Sequence, residues 1–130
     1  MRIGEASKRS GLPTKTTRYY DEIGLVSPAT DGTNGYREYD DSDVRKLLFV
    51  RKARSFGFSI DECRGLLGLY EDRNRASSDV KRIAEERIAE IDRKLEELKS
   101  LRHELGHLVR ACKGDDRPDC PILNELSNTA

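Results

Sequence analysis

Short runs of apolar residues at helical spacing alternate with polar turns along the first half of the chain. The first run, from Ile3 to Ser10, predicts a short helix that Gly11 ends. A second helix is predicted after Leu12-Pro13, with Thr14 as its N-cap and Ile23-Gly24 as its end. Two short helices joined by a glycine-containing turn are typical of a helix-turn-helix. Its predicted apolar set is small: Ile3, Ala6, Leu12, Tyr19, Ile23 and Leu25.

The next segment predicts a small β-wing and then two further helices. Asn34-Gly35 is a strong hairpin turn dipeptide and is followed by alternating residues up to Tyr39. Asp40 to Asp43 offer N-caps for one helix, and Ser59 with Glu62 forms a capping box for the next. Their apolar positions recur at helical spacing: Val44, Leu47, Leu48, Val50 and Ala53, then Ile60, Cys63, Leu66, Leu67 and Tyr70.

A long helix is predicted to begin with Ser77 or Ser78 as its cap and to run to about Cys112. Its apolar positions step by alternating threes and fours, which is the heptad pattern of a coiled coil. Arg102 interrupts the series, beside Leu101. A domain this small cannot cover so long a helix, so a homodimer is predicted. The series consists of Ala84, Ile88, Ile91, Leu95, Leu98, Leu105, Val109 and Cys112.

The chain after Cys112 is a polar loop in which Gly114 and Pro118 cannot continue a helix. Pro121 is favoured at the first position of a helix, so Cys120 is predicted to be the N-cap of a short last helix. The predicted fold class is therefore mainly α. It comprises a winged helix-turn-helix domain over 1–72, a dimerisation helix over 73–111, and a loop with a short helix over 112–130.

The composition is typical of a protein with long, solvent-exposed helices, and it also indicates the cellular compartment. Charged residues make up 37% of the 130 residues and aromatic residues 6%, with no Trp. Residues 1–58 hold 11 basic against 8 acidic side chains, a basic bias compatible with nucleic acid. No apolar run approaches the roughly 20 residues that span a bilayer, so a cytoplasmic protein without a membrane partner is expected. In that compartment the three cysteines are expected to be free thiols or metal ligands.

Basic and aromatic side chains in the second helix and the wing predict contact with double-stranded DNA. A helix-turn-helix places its second helix in the major groove, and donors on the wing bind phosphates. One alternative is a solvated face with the tyrosines in a small core, and another is a coiled-coil adaptor that binds only protein. The predicted contacts are Lys15, Arg18, Tyr19, Tyr20, Tyr36 and Arg37.

Cys112 and Cys120, separated by seven residues, could form a metal site. Thiolates select soft ions, and a pair with no nearby third thiol or histidine suits two-coordinate Cu(I) better than four-coordinate zinc. The alternative is that Cys112 is a core residue, because it lies on the apolar series of the long helix. Cys63, on the apolar face of its helix, is predicted to be core.

His103-Glu104-Leu105-Gly106-His107 matches the H-E-x-x-H pattern of zinc proteases, in which two imidazoles share one helical face. The extended form of the pattern fails, because Arg110 and Lys113 stand where Gly and His would continue it. The two histidines are expected beside the coiled-coil series, in solvent. An enzyme is therefore not predicted.

Several segments resemble the MerR family of transcriptional regulators: 1–6, 16–25, 34–37 and 54–59. The resemblance covers nearly the whole chain and implies a winged-helix domain, an antiparallel dimerisation helix and an effector loop. It adds Arg54 to the expected DNA contacts. It also implies that the dimer binds a promoter with a long spacer, which the metal-bound form bends and untwists so that RNA polymerase can engage it.

The segment 111–122 is similar to the loop of copper-responsive members of that family. Divalent-ion sensors in the family carry a further cysteine at the start of the dimerisation helix, where this chain has Ser77. The resemblance therefore implies Cu(I) at Cys112 and Cys120, with Ag(I) and Au(I) as further candidate ions. Lys113 departs from the pattern, since such loops often carry proline there.

Overall fold

The computed structural model describes residues 1–30 and 32–128 and confirms a mainly helical fold. Two compact units divide the chain within the longest helix, one over Met1–Ile83 and the other from Ala84 onward. The boundaries predicted at residues 72 and 111 stay predictions, and residues 129 and 130 lie outside the described part. The elements are α1 (Ile3–Ser10), α2 (Thr14–Glu22), β1 (Ala29–Thr30), β2 (Arg37–Glu38), α3 (Asp41–Ser55), α4 (Ile60–Glu71), α5 (Ser77–Ala111) and α6 (Pro121–Ser127).

Local capping explains where the helices of the first unit begin. Asp40 caps α3 and Ser59 caps α4, and each forms the reciprocal capping box with the residue three positions later. The prediction that Thr14 caps α2 is wrong by one residue. Pro13 is the N-cap, and Thr14 is the first residue of the helix. No side-chain hydrogen bond caps this end of α2. The extended backbone of Pro13, with φ −59° and ψ 146°, sets the entry to the helix.

The core of the first unit lies where α1, α2, α3 and α4 meet the end of the wing. Tyr20 is 6% exposed, whereas Tyr19, which the apolar spacing had placed in the core, is 48% exposed. Tyr20 shares the inner face of α2 with buried Thr17, whose hydroxyl accepts a hydrogen bond from Ser7 at 2.9 Å. Cys63 is buried, as predicted. The buried apolar residues are Ala6, Tyr20, Leu25, Val26, Tyr39, Val44, Leu47, Val50, Ala53, Phe58, Cys63 and Leu67.

The second unit contains α5 from Ala84, the following loop and α6. Ser77 is the first helical residue of α5, so the predicted caps Ser77 and Ser78 lie within its first turn. The helix ends at Ala111, and the N–H of Cys112 still donates to the carbonyl oxygen of Leu108 at 3.0 Å. Cys120 is the N-cap of α6, with Pro121 in its first turn, as predicted. No helix among the described residues is both long and apolar enough to cross a membrane.

Candidate DNA-binding surface and metal-binding loop

The predicted wing is a two-stranded antiparallel hairpin. Its strands pair Ala29 with Glu38 and Thr30 with Arg37. In the turn, the Asn34 side chain accepts a hydrogen bond from the backbone N–H of Tyr36 at 2.9 Å. Gly35 follows with a φ of +74°, a conformation that side-chain-bearing residues rarely adopt. The Asn-Gly pair therefore lies within the connection between the strands, where Gly35 alone of the two has a positive φ, and it is not the two-residue turn that the dipeptide predicts.

Arg37 joins the wing to α2. Its guanidinium donates to both carboxylate oxygens of Asp21, from Nε at 2.9 Å and from Nη2 at 2.5 Å. Its third nitrogen donates to the hydroxyl of Thr30 at 2.8 Å. The hydrogen bonds from Arg37 hold the pKa of Asp21 below its ordinary value. Arg37, predicted from sequence as a DNA contact, thus fixes the wing against the second helix while its side chain stays partly exposed.

A cleft of about 360 Å³ lies between α2, the wing and the amino terminus. The guanidinium of Arg2 lies 3.9 Å from the ring centre of Tyr36, a cation–π contact that has no periodic signal in the sequence. Three arginines and one carboxylate line the cleft, so its net charge suits a phosphate. Its lining residues are Arg2, Ile3, Arg18, Asp21, Tyr36, Arg37 and Tyr39.

The remaining predicted DNA contacts fall in different environments. Lys15, Arg18 and Tyr19 lie on the exposed side of α2, beside the cleft. Tyr20 is in the core, so the structure gives it a part in positioning α2 rather than a place on the exposed face. Arg54, near the end of α3, donates to the carbonyl oxygen of Phe58 at 2.7 Å and so holds the turn into α4.

The two cysteines of the predicted metal site are brought together in the second unit. Cys112 follows the last turn of α5, Cys120 precedes α6, and both are partly buried. The backbone amides of Leu123 and Ile122 and the thiol of Cys112 hold the pKa of Cys120 below its ordinary value. The side chain of Cys120 forms no cap hydrogen bond. The amides of Leu123 and Ile122 therefore act on its thiolate through their positive partial charge at the start of the helix.

The loop between the two thiols is folded by its own polar groups. Asp115 accepts hydrogen bonds from the backbone N–H of Arg117 at 3.0 Å and from its Nε at 2.9 Å. Gly114 has a φ of +64°, which turns the chain directly after α5. Over residues 1–30 and 32–128, no group of three or more His, Cys, Asp and Glu is placed to hold a metal ion. Two thiols in one loop, with the pKa of Cys120 below its ordinary value, fit a soft, two-coordinate ion.

Cys120 and Cys63 are expected to differ in their rate of alkylation in the metal-free protein. Burial raises the pKa of Cys63 above its ordinary value, whereas that of Cys120 is lowered. At pH 7.5 iodoacetamide should therefore modify Cys120 well before Cys63, because the thiolate is the nucleophile. Mass spectrometry of the reduced, native chain after timed labelling measures this order. Labelling in guanidinium chloride is the control, in which the difference should vanish; Cys63 reacting first in the native chain would contradict the assignment.

Comparison with known proteins gives consistent matches along the chain. The family model described as "MerR HTH family regulatory protein" matches residues 1–69, and "MerR, DNA binding" matches residues 44–108. HTH-type transcriptional regulator HmrR of Rhizobium leguminosarum bv. viciae is 61% identical over 130 residues, covering 100% of both chains. Heavy metal-dependent transcription regulator 2 of Rhizobium meliloti (strain 1021) is 53% identical over 128 residues, covering 98% of this chain and 87% of that protein.

A solved structure also resembles this fold over nearly the whole length of both chains. It is the transcription regulator PbrR691 from Ralstonia metallidurans CH34 in complex with lead(II), which has a TM-score of 0.84 and 33% sequence identity. The match covers 98% of this chain and 99% of that one. The winged helix-turn-helix, the long helix and the carboxyl-terminal loop therefore all have counterparts in one known protein.

Proposed function

This chain belongs to the MerR family of transcriptional regulators, and from that premise we propose that it senses Cu(I) and activates a promoter of copper-efflux and detoxification genes. It is a metal-responsive, DNA-binding regulator and not an enzyme, so the H-E-x-x-H segment has no proteolytic role. The observation that carries the choice of ion is the placement of two thiols at the ends of one loop, Cys112 after α5 and Cys120 before α6, with no larger group of His, Cys, Asp and Glu among residues 1–30 and 32–128.

The exposed face of α2 and the cleft beside it form the proposed DNA-binding surface. Lys15, Arg18 and Tyr19 project from α2, which would enter the major groove. Arg2 and Tyr36 at the cleft would meet the phosphate backbone, where cationic donors position a protein without reading sequence. Arg37 would contribute mainly by holding the wing in place. Tyr20 and Arg54 remain proposed contacts, although Tyr20 is buried in the core and Arg54 donates to the carbonyl oxygen of Phe58.

The exposed apolar series on α5 supports a homodimer. In a single chain its members are between 39% and 60% exposed, although Leu and Ile are normally buried. The heptad spacing of the series is that of two helices in contact, and a second copy supplies a matching surface. Two copies would present two winged domains to a pseudo-palindromic promoter. The series in the structure consists of Ile88, Ile91, Leu95, Leu98, Leu101, Leu105 and Val109.

The ion is proposed to be monovalent copper for a chemical reason. The relative from Rhizobium meliloti is named as heavy metal-dependent and the structural neighbour is in complex with lead(II), which supports a thiol-binding heavy-metal ion here. Two thiolates satisfy the linear geometry of Cu(I), and Ag(I) and Au(I) share that preference, whereas zinc needs four ligands. The complex carries a net negative charge, which the amides of Leu123 and Ile122 stabilise as they stabilise the thiolate of Cys120.

The proposed signal passes from the loop to the promoter. An ion held by both thiols would fix the end of α5 to the start of α6, and so favour one dimer geometry over another. In that geometry the dimer would bend and untwist the promoter spacer so that RNA polymerase engages both promoter elements. The alternative is a sensor of another metal or effector; a zinc affinity above that for Cu(I) would favour it while leaving DNA binding intact.

Replacing Arg18 with alanine is expected to weaken DNA binding about tenfold and to lower the salt slope of the affinity by about 1. The reason is the loss of a cationic donor on the exposed face of α2 beside the cleft. Fluorescence anisotropy between 50 and 200 mM salt, on a duplex that the full chain enriches from a random library, measures both quantities. Arg93→Ala on α5 is the matched control and should leave both unchanged. If the chain enriches no duplex, the protein-only adaptor is the better description.

A further inference from the structure

Both histidines of this chain lie on one turn of α5. The sequence contains two histidines, His103 and His107, and both side chains are exposed. They are four residues apart within a continuous helix that extends to Ala111. Residues at this spacing share a helical face, with Cβ atoms about 5 to 6 Å apart. The thiol site uses neither of them.

Two imidazoles at this spacing can bind one metal ion together. The same separation places the two zinc-binding histidines of H-E-x-x-H proteins on one helical face. Imidazole nitrogen suits Cu(II), Ni(II) and Zn(II), with Cu(II) bound most tightly in the ordinary order of divalent ions. The chemistry therefore differs from that of the thiol pair, which selects a soft monovalent ion.

The heptad pattern leaves this face of α5 accessible in a homodimer. Leu105 occupies an inner d position of the pattern and Val109 the following a position. This places His103 at a b position and His107 at an f position. Positions b and f face away from the seam between two helices. A dimer would therefore carry two such pairs, each on the outer side of its own helix.

The surroundings of the pair indicate a two-ligand site completed by water. In the part of the chain that the structure describes, no third His, Cys, Asp or Glu joins the two histidines. Lys99, one turn before His103, is paired with Glu96 at 3.3 Å. The carboxylate of Glu104 supplies a compensating charge next to His103, although it projects from a different face. These features favour reversible binding over a permanent structural ion.

Gly106 lies between the two histidines and makes this part of α5 its weakest turn. A glycine inside a helix is less favourable than alanine, because it loses more conformational freedom on folding. An ion bound by His103 and His107 spans that turn and stabilises only the helical form. We propose that the two histidines form a divalent-ion clamp, separate from the thiol pair, which holds the last turns of α5 in helical conformation.

The clamp is tested in a full-length Cys112→Ser/Cys120→Ser variant, in which Zn²⁺ and Cu²⁺ have no exposed thiol to bind. We expect one Zn²⁺ per chain by calorimetry, and a dissociation constant at least about tenfold weaker after His103→Gln or His107→Gln. The Glu97→Gln variant, more than one turn before His103, is the matched control and should bind as the parent does. With Cu²⁺, the paramagnetic resonance spectrum should show two coordinated imidazole nitrogens, and thermal unfolding should show a higher midpoint with the ion than without it.

Several results would overturn the clamp. These are equal Zn²⁺ affinity in the parent and in His103→Gln, absence of saturable binding below about 100 µM, and one ion shared between two chains. Because the test is done without the two thiols, its outcome is independent of whether Cu(I) is the effector.

Discussion

Replacing Cys112 with serine is expected to abolish Cu(I) binding while leaving the first unit folded. One thiolate cannot supply the linear two-sulfur geometry that the contact between Cys112 and Cys120 offers, and serine is a poor ligand for a soft ion. We expect the Cu(I) dissociation constant to rise at least about 1000-fold, equivalent to about 4 kcal/mol. Competition with a chromophoric Cu(I) chelator under anaerobic conditions measures it, and Ag(I) should show the same loss.

Two further variants make this result specific to the pair. Cys120→Ser should lose as much affinity as Cys112→Ser, because each thiolate is half of the site. Cys63→Ser should keep the affinity of the parent, since Cys63 is buried in the first unit. Retention of Cu(I) by either loop variant, or zinc bound more tightly than Cu(I) by the parent, would refute the proposed selectivity.

The affinity should also depend on pH in a definite direction. A metal ligand must lose its proton, so Cu(I) affinity falls as pH falls. The lowered pKa of Cys120 means that it keeps its thiolate to a lower pH than an ordinary cysteine. The contribution of the Cys120 thiolate to Cu(I) affinity is fully present above the ordinary pKa of a thiol. It is lost as the pH falls through the lowered pKa of Cys120. Apparent affinity measured between pH 9 and pH 6 would show this decline.

Local signals were sufficient to predict most helices. Asp40 with Asp43, and Ser59 with Glu62, are capping pairs that act within four residues, so the sequence alone placed α3 and α4 correctly. The choice between Tyr19 and Tyr20 could not be made in this way. It depends on which face of α2 meets α1, and that face is set by the packing of Thr17 against Ser7.

For the proposed DNA-binding surface, the sequence indicates residue types but not their arrangement. The bonds from Arg37 to Asp21 join positions 16 residues apart, and the contact of Arg2 with Tyr36 joins the amino terminus to the wing. Such pairings depend on tertiary structure and leave no periodic signal along the chain. In the sequence alone, Arg37 therefore resembles a free cation, and Arg2 carries no sign of its contact with the wing.

The cysteines of the thiol pair could be identified from the sequence, as the helices could, but their arrangement depends on how the loop folds. These cysteines were identified because cysteine is rare and the loop begins and ends at one. Their proximity depends on how seven intervening residues fold, and the structure attributes that to the turn at Gly114 and the bonds between Asp115 and Arg117. Neither feature distinguishes this loop from an ordinary polar connection when it is read as sequence.

A double substitution of Leu95→Glu and Leu98→Glu is expected to convert the homodimer into monomers. Both leucines lie on the exposed apolar series of α5, and burying a leucine contributes about 1.5 to 3 kcal/mol. Four leucines per dimer would thus lose about 6 to 12 kcal/mol, and like charges would be placed at the seam. Sedimentation equilibrium at micromolar concentration measures the mass, and circular dichroism checks that the chain remains helical.

The same variant tests whether dimerisation is what gives the protein its promoter affinity. Two linked winged domains bind two half-sites with an avidity that can exceed that of one by about 10² to 10⁴, so a monomer should lose a factor of this size on a full site. On a single half-site, parent and variant should bind alike, because the first unit with its cleft is unchanged. Arg93→Glu, on an exposed residue that faces away from the series, adds negative charge to the same helix and should leave the dimer intact. If the double variant remained dimeric, the apolar series would be covered by something other than a second copy of α5, and the route proposed from metal to promoter would lose its mechanical basis.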